Sequence, residues 1–362
     1  MKIIFITTKS ITFKTFLKYQ ANYFIKKGIK VELACSDTDQ INFKNILKHK
    51  IDFPSKMIDL FNLIKYLKIF LQIKKLVEKN TSSIFYLHTP LASHLFRLFT
   101  FFNKLKIIYF VHGFRFTSKT NYFKAFFFKS VEKILSFKTD IFITINNEDF
   151  YYVKQNLSKT GLFYKIKGVG LNLPPNHFKR KIKKKKVIKK ILVIAAYKRE
   201  KGYLDVLKVA NTLKNHKIKI VCYGYGNYSQ FKSIKTKNKL HNISFNKFDT
   251  KLAYKIKNFD VLLHLSKREG LPVSIMQSLS QGLPVICYNI RGNNDLITDK
   301  FNGYFISSHK EVLNKINYLN LENNFFNKMR LNAFNSINNN FHTKQINFSI
   351  YKIMKNYSKY IK

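Results

Sequence analysis

The chain has 362 residues, 46% hydrophobic and 16% aromatic, and its 66 Lys and Arg against 19 Asp and Glu give a formal charge of +47. This length exceeds one hydrophobic core and suits two domains. No run of about 18 uncharged apolar residues occurs, so a membrane-crossing helix is not expected. Cys35, Cys222 and Cys287 lie far apart at the ends of apolar runs, and His88, His94 and His112 show no metal-ligand spacing. Reduced core thiols explain the cysteines, and neither a disulfide framework nor a metal site is expected. The charge has two readings: attraction to a polyanion, such as the inner membrane face or nucleic acid, or the lysine-rich composition of an AT-rich genome.

In chain order, strands are expected at Lys2 to Ile6, Val31 to Cys35, Ile84 to Leu87, Lys106 to Val111 and Asp140 to Thr144. The first of these makes Met1 to Lys9 a buried strand rather than a signal peptide, and the protein is placed in the cytoplasm. Between strands, Lys56 to Val77 reads as a helix with Ser55 as cap and Met57, Leu60, Phe61, Ile64, Leu67 and Leu71 on one apolar face. Asn121 to Ser136 mixes large apolar residues with lysine, and suits either a buried helix or a membrane interface. The lysine-dense segment after Pro174 and Pro175 reads as a linker over 176–190, between a first domain of 1–175 and a second of 191–341.

After the linker the alternation restarts. Strands are expected at Lys190 to Ala195, Ile218 to Tyr223, Ile243 to Phe245, Val261 to Leu265 and Val285 to Tyr288, with helices at Tyr203 to Leu213 and Val273 to Gln281. Residues 342–362 place Ile346, Ile350, Ile353 and Met354 at helical spacing. Alternating strands and helices imply an α/β class with two doubly wound parallel sheets.

Ser266-Lys-Arg-Glu-Gly-Leu-Pro-Val-Ser-Ile-Met-Gln277 joins an apolar strand through a tight turn to a helix that Pro272 can open as its first residue. Such a strand, turn and helix N-terminus favour an anion through free amides and the helix dipole. This segment, with Gly282-Leu-Pro-Val285, resembles the signature of the family-4 retaining glycosyltransferases of GT-B fold. Val111-His-Gly-Phe114, Thr144-Ile-Asn-Asn-Glu-Asp149, Gly168-Val-Gly-Leu-Asn172 and Arg291-Gly-Asn-Asn-Asp-Leu-Ile297 extend the likeness in order. Two departures stand out: Gln277 holds the place of the second signature acid, and Ala195 and Ala196 stand where a Gly-Arg pair is usual.

The resemblance implies two Rossmann-like domains facing a cleft, with the C-terminal helix returning to the first. It implies metal-free, retaining transfer of a hexose or N-acetylhexosamine from a nucleotide sugar of UDP type to a cell-surface glycan, such as a lipopolysaccharide, carried on a polyprenyl or other lipid. Glu269 would orient the donor sugar and His112 would meet it; otherwise His112 is a structural histidine. Lys201, with Arg199 or its rival Lys198, would face the diphosphate beside Gly270, Leu271, Pro272 and Val273, and Gln277 would accept from the ribose. The enzyme would be peripheral on an anionic membrane and would bind no nucleic acid. The alternatives are a catalytically weak GT-B partner of glycan assembly, suggested by Gln277, and a basic nucleic-acid-binding protein, for which no recognition motif is present.

Overall fold

A computed structural model describes residues 1–43, 46–54, 63–157, 161–173, 184, 187–249, 251–337 and 339–360. Most of the expected linker, Pro174 and Pro175, and the start of the Lys56 to Val77 helix with its Ser55 cap fall outside these residues. The chain divides into two compact units, Met1–Gly170 with Thr343–Lys362, and Leu171–His342.

In the first unit, seven parallel strands run in the order β3-β2-β1-β4-β5-β6-β7. They are β1 (Lys2–Ile6), β2 (Lys30–Cys35), β3 (Leu47–Lys50), β4 (Ile84–Leu87), β5 (Lys106–Val111), β6 (Ile141–Thr144) and β7 (Leu162–Lys165). The central strands are buried on both faces, and their apolar runs made them visible in the sequence. The two edges, β3 and β7, are lysine-bearing and almost wholly exposed, so they lack the apolar pattern that marks a strand.

The helix observed at Leu63–Glu78 turns Ile69, Ile73, Leu76 and Val77 into the core. The expected apolar face therefore needs correction: Ile64, Leu67 and Leu71 are 82%, 58% and 54% exposed. The helix is apolar on two sides, and the sheet can cover only one. Helix Pro90–Phe99 packs between this helix and Tyr122–Ser136, tied down by a buried charge network. The wholly buried Arg97 donates from Nη2 to Glu132 Oε2 at 2.8 Å and from Nη1 to Thr139 Oγ1 at 3.2 Å, while His94 Nε2 lies 2.8 Å from Glu132 Oε1. Burial alone would raise the Glu132 carboxyl, but Arg97 and His94 more than offset it and hold it down to about 2. Helix Thr343–Tyr360 packs in this unit on helix Lys18–Lys26, with Ile346, Ile350 and Met354 buried.

The second unit holds six parallel strands in the order β10-β9-β8-β11-β12-β13. These are β8 (Lys190–Ile194), β9 (Lys219–Gly224), β10 (Ile243–Lys247), β11 (Val261–His264), β12 (Val285–Tyr288) and β13 (Gly303–Ile306). Counted from β8, this is the strand order of dinucleotide-binding sheets, and the chain reverses direction of travel between β8 and β11. In sheets of this order ligands bind beyond the carboxyl ends of the strands at such a reversal. The three cysteines are buried and free, and no helix among the described residues is long and apolar enough to cross a membrane.

Glu132→Gln keeps the side-chain shape but leaves Arg97 with an uncompensated buried charge. It is expected to lower unfolding free energy by about 3 kcal/mol in urea titrations, and the pair Arg97→Met with Glu132→Met to recover most of that loss.

Candidate functional site

At the reversal between β8 and β11, the exit of β8 forms the tight turn Arg199–Lys201, closed by Gly202 at φ 79°. The exit of β11 runs from Leu265 to Pro272. The two loops are stitched together: Lys267 N donates to Glu200 O at 2.9 Å, and a Cβ on Gly202 would fall 1.9 Å from the Leu265 carbonyl oxygen. Only glycine allows this approach and this backbone. The approach delivers Lys201 to Glu269, with Nζ 2.7 Å from Oε1 and 3.4 Å from the Arg268 carbonyl oxygen.

Glu269 is 13% exposed, and His264 Nε2, at the end of β11, lies 3.3 Å from the same carboxylate oxygen. Burial opposes its ionisation, yet His264 and Lys201 together hold it down to about 2. It is a fixed anion at every physiological pH. Behind it, the buried Arg291 donates from Nε to the Glu269 carbonyl oxygen at 2.9 Å. A Cβ on Gly292 would meet the Gly270 carbonyl oxygen at 2.3 Å, so Arg291 and Gly292 clasp the Glu269-Gly-Leu271 turn from outside.

Pro272 takes extended backbone at the N-cap, with φ −73° and ψ 115°, so Val273 rather than Pro272 is the first helical residue. A cap residue has non-helical backbone, and the preceding turn arrives extended. The helix ends at Leu279 rather than Gln281, where Gly282 at φ 70° takes the left-handed position and Leu283 N bonds back to Ser278 O. Val273, Ser274 and Gln277 share its half-buried face, while Ile275, Met276 and Leu279 enter the core. Ser274 Oγ lies 3.5 Å from His264 Nδ1.

The structure thus brings Lys201 and Glu269 together beside Gly270, Leu271, Pro272 and Val273, and sets Gln277 one turn along the same helix. Arg199 is exposed, and Lys198 Nζ lies 4.0 Å from Glu200. Neither contacts Glu269 among the described residues. His264 was missed from the sequence because it sits inside the apolar run of a strand. Its only signal was a titratable side chain placed five residues before the signature acid.

In the first unit, His112 leaves β5 just before Gly113 at φ 125°. Its Nε2 lies 3.2 Å from Nδ1 of the wholly buried His88, which leaves β4 and stacks on Phe5 at 5.4 Å. Loss of hydration lowers His112 to about 4. Burial, then His112, drives His88 well below the usual histidine range. Both rings are neutral near pH 7. The Thr144 to Asp149 segment serves this loop: Asn146 caps its helix by accepting from Asp149 N at 2.8 Å, and Asp149 Oδ2 accepts from Phe114 N at 3.4 Å. Groups of three or more His, Cys, Asp or Glu arranged to hold a metal do not occur among the described residues.

The family described as "Glycosyl transferases group 1" matches residues 175–336, and "Glycosyl transferase 4-like" matches residues 2–146. EpsD of Bacillus subtilis, named as a glycosyltransferase, is 26% identical over 321 residues, covering 84% of this chain and 83% of its own. Among solved structures, sucrose-phosphate synthase from Thermosynechococcus elongatus superposes with a TM-score of 0.80 at 12% identity over 98% of both chains. HepE from Anabaena in complex with UDP and glucose gives 0.76 at 14% identity, over 98% of this chain and 100% of its own. These likenesses show the GT-B fold.

A carboxyl held at about 2, below its ordinary 4.5, stabilises the fold fully above 4.5, and that stability is lost as pH falls toward 2. The stability gap between the parent and Glu269→Gln is therefore expected to narrow by roughly 2 kcal/mol between pH 6 and pH 3, read from urea midpoints.

Proposed function

We propose that this chain, which belongs to the GT-B glycosyltransferases of family-4 type, moves a hexose or N-acetylhexosamine from a UDP sugar to a growing, lipid-linked cell-surface glycan with retention of anomeric configuration. The observation that carries the reading is the Lys201–Glu269–His264 cluster, built where β8 and β11 end at the chain reversal of a nucleotide-binding type of sheet. A permanently charged carboxylate there can accept from sugar hydroxyls and favour positive charge at the anomeric carbon. It need not attack that carbon.

The Lys201 ammonium has three donors, so it can keep Glu269 and still bind a phosphate oxygen of the leaving diphosphate. With the amides around Gly270 to Val273, it would stabilise the charge that grows there as the glycosidic bond to phosphate breaks. We assign this neutralisation to the protein's own groups, without a metal ion. Arg199, exposed on the same turn, would reach the diphosphate only as the donor arrives. Gln277 would accept from the ribose through its amide oxygen, a neutral bond in place of a charge-assisted one. The neutral His112 imidazole would hydrogen-bond the transferred sugar, and the leaving phosphate would take the acceptor's proton on the same face.

Glu269→Ala is expected to abolish sugar transfer, and Lys201→Ala to lower kcat by about a hundredfold or more, the usual size of one lost transition-state charge contact. Both variants should melt cooperatively, and both reactions should be run with a chelator present. Full activity in Glu269→Ala would remove the assignment.

The charge of +47, with Phe123, Phe126 and Phe127 exposed among lysines on helix Tyr122–Ser136, supports peripheral binding to an anionic bilayer. Cosedimentation with phosphatidylglycerol liposomes is expected at low salt and should fall steeply at 0.5 M NaCl.

A further inference from the structure

The same three-helix layer of the first unit borders an open apolar cavity of about 290 Å³. Leu95, Leu98, Phe127, Val131 and Leu135 line it, from helices Pro90–Phe99 and Tyr122–Ser136. It has about twice the volume of an engineered apolar cavity that takes a benzene ring. Its rim is open and apolar, since Leu98, Phe127 and Ile134 are each more than half exposed.

One wall carries a charge. Arg115 lines the cavity, its guanidinium 5.2 Å from the Phe128 ring centre. Among the described residues, its Nη1 is buried and has no hydrogen-bond partner. The Glu132 carboxylate on the neighbouring helix pairs with Arg97 and His94. A half-buried cation with an unanswered donor beside a hydrocarbon-lined space asks for an anion attached to an apolar chain.

The direction is set by topology. Arg115 lies three residues beyond His112, on the loop leaving β5, at the end of the sheet where parallel αβ folds bind ligands. Both helices start at that end and run away from it, carrying the lining from Leu91 toward Leu98 and Leu135.

We propose that this cavity binds the hydrocarbon chain of a lipid phosphate, with the phosphate paired to Arg115 and the chain running down between the two helices. The site would hold the lipid carrier of the acceptor, and in that purpose it rests on the reading of a lipid-linked acceptor. Binding itself does not depend on that reading.

The test uses the full chain and decyl phosphate below its micelle-forming concentration, followed by calorimetry. Saturable binding of one molecule per chain is expected, with Val131→Phe abolishing it. Arg115→Leu should weaken decyl phosphate about tenfold or more and leave decanol binding at the parent's affinity, which also shows that the variant is folded. Absence of saturable binding, or equal weakening of decanol and decyl phosphate by Arg115→Leu, overturns the site. These measurements need no sugar donor, so they fail or succeed separately from glycosyl transfer. In turnover with a sugar linked to a prenyl diphosphate as acceptor, decyl phosphate should raise the acceptor KM without changing kcat. Binding that leaves that KM unchanged would make the occupant a bilayer lipid and overturn the acceptor-carrier assignment.

Discussion

A carboxylate taken out of water must be answered by its neighbours, and in the second unit that requirement organises the loops around Glu269. Burial alone would push this carboxyl up. Lys201 from the exit of β8 and His264 from the end of β11 keep it ionised, so the ion pair that charges the site also ties together the two strand exits. Gly202 permits the approach from one side, and Arg291 with Gly292 holds the turn from the other. The removal of any one of these contacts would loosen the position of the acid that the proposed chemistry needs most, and preorganised charge is effective only when it is held in place.

The first unit handles buried charge differently. Arg97 and Glu132 neutralise each other inside the helical layer and, with His94 bonded to the same carboxylate, fasten helix Pro90–Phe99 to helix Tyr122–Ser136. His88 and His112 are kept neutral instead, because aromatic neighbours strip them of water and each would repel a charge on the other. A neutral imidazole has one donor and one acceptor nitrogen, and here one nitrogen of each ring faces the other ring. Arg115, whose buried Nη1 has no hydrogen-bond partner among the described residues, lines the apolar cavity beside these helices.

Length, apolar runs and turn signals made the doubly wound class visible, and the buried central strands were readable nearly to the residue. Edge strands β3 and β7 were not, since an exposed lysine-rich strand carries no periodic signal and is defined only by the neighbour that pairs with it. Glu269 and Lys201 were legible as members of motifs about seventy residues apart, and the sequence could suggest that each faced a ligand. It could not show that they face one another, nor that His264 joins them.

What the sequence determined by itself is the class of fold, the signature turn and the identity of the acid, because these follow from local periodicity, glycine and proline placement, and an ordered set of short motifs. Tertiary structure alone decided which apolar stripe of Leu63–Glu78 is buried, which cation meets Glu269, where Arg97 finds Glu132, and that a cavity remains beside Arg115. Those facts depend on which surfaces the sheet can cover and on contacts between residues distant in the chain. Neither quantity is encoded in any short window of residues.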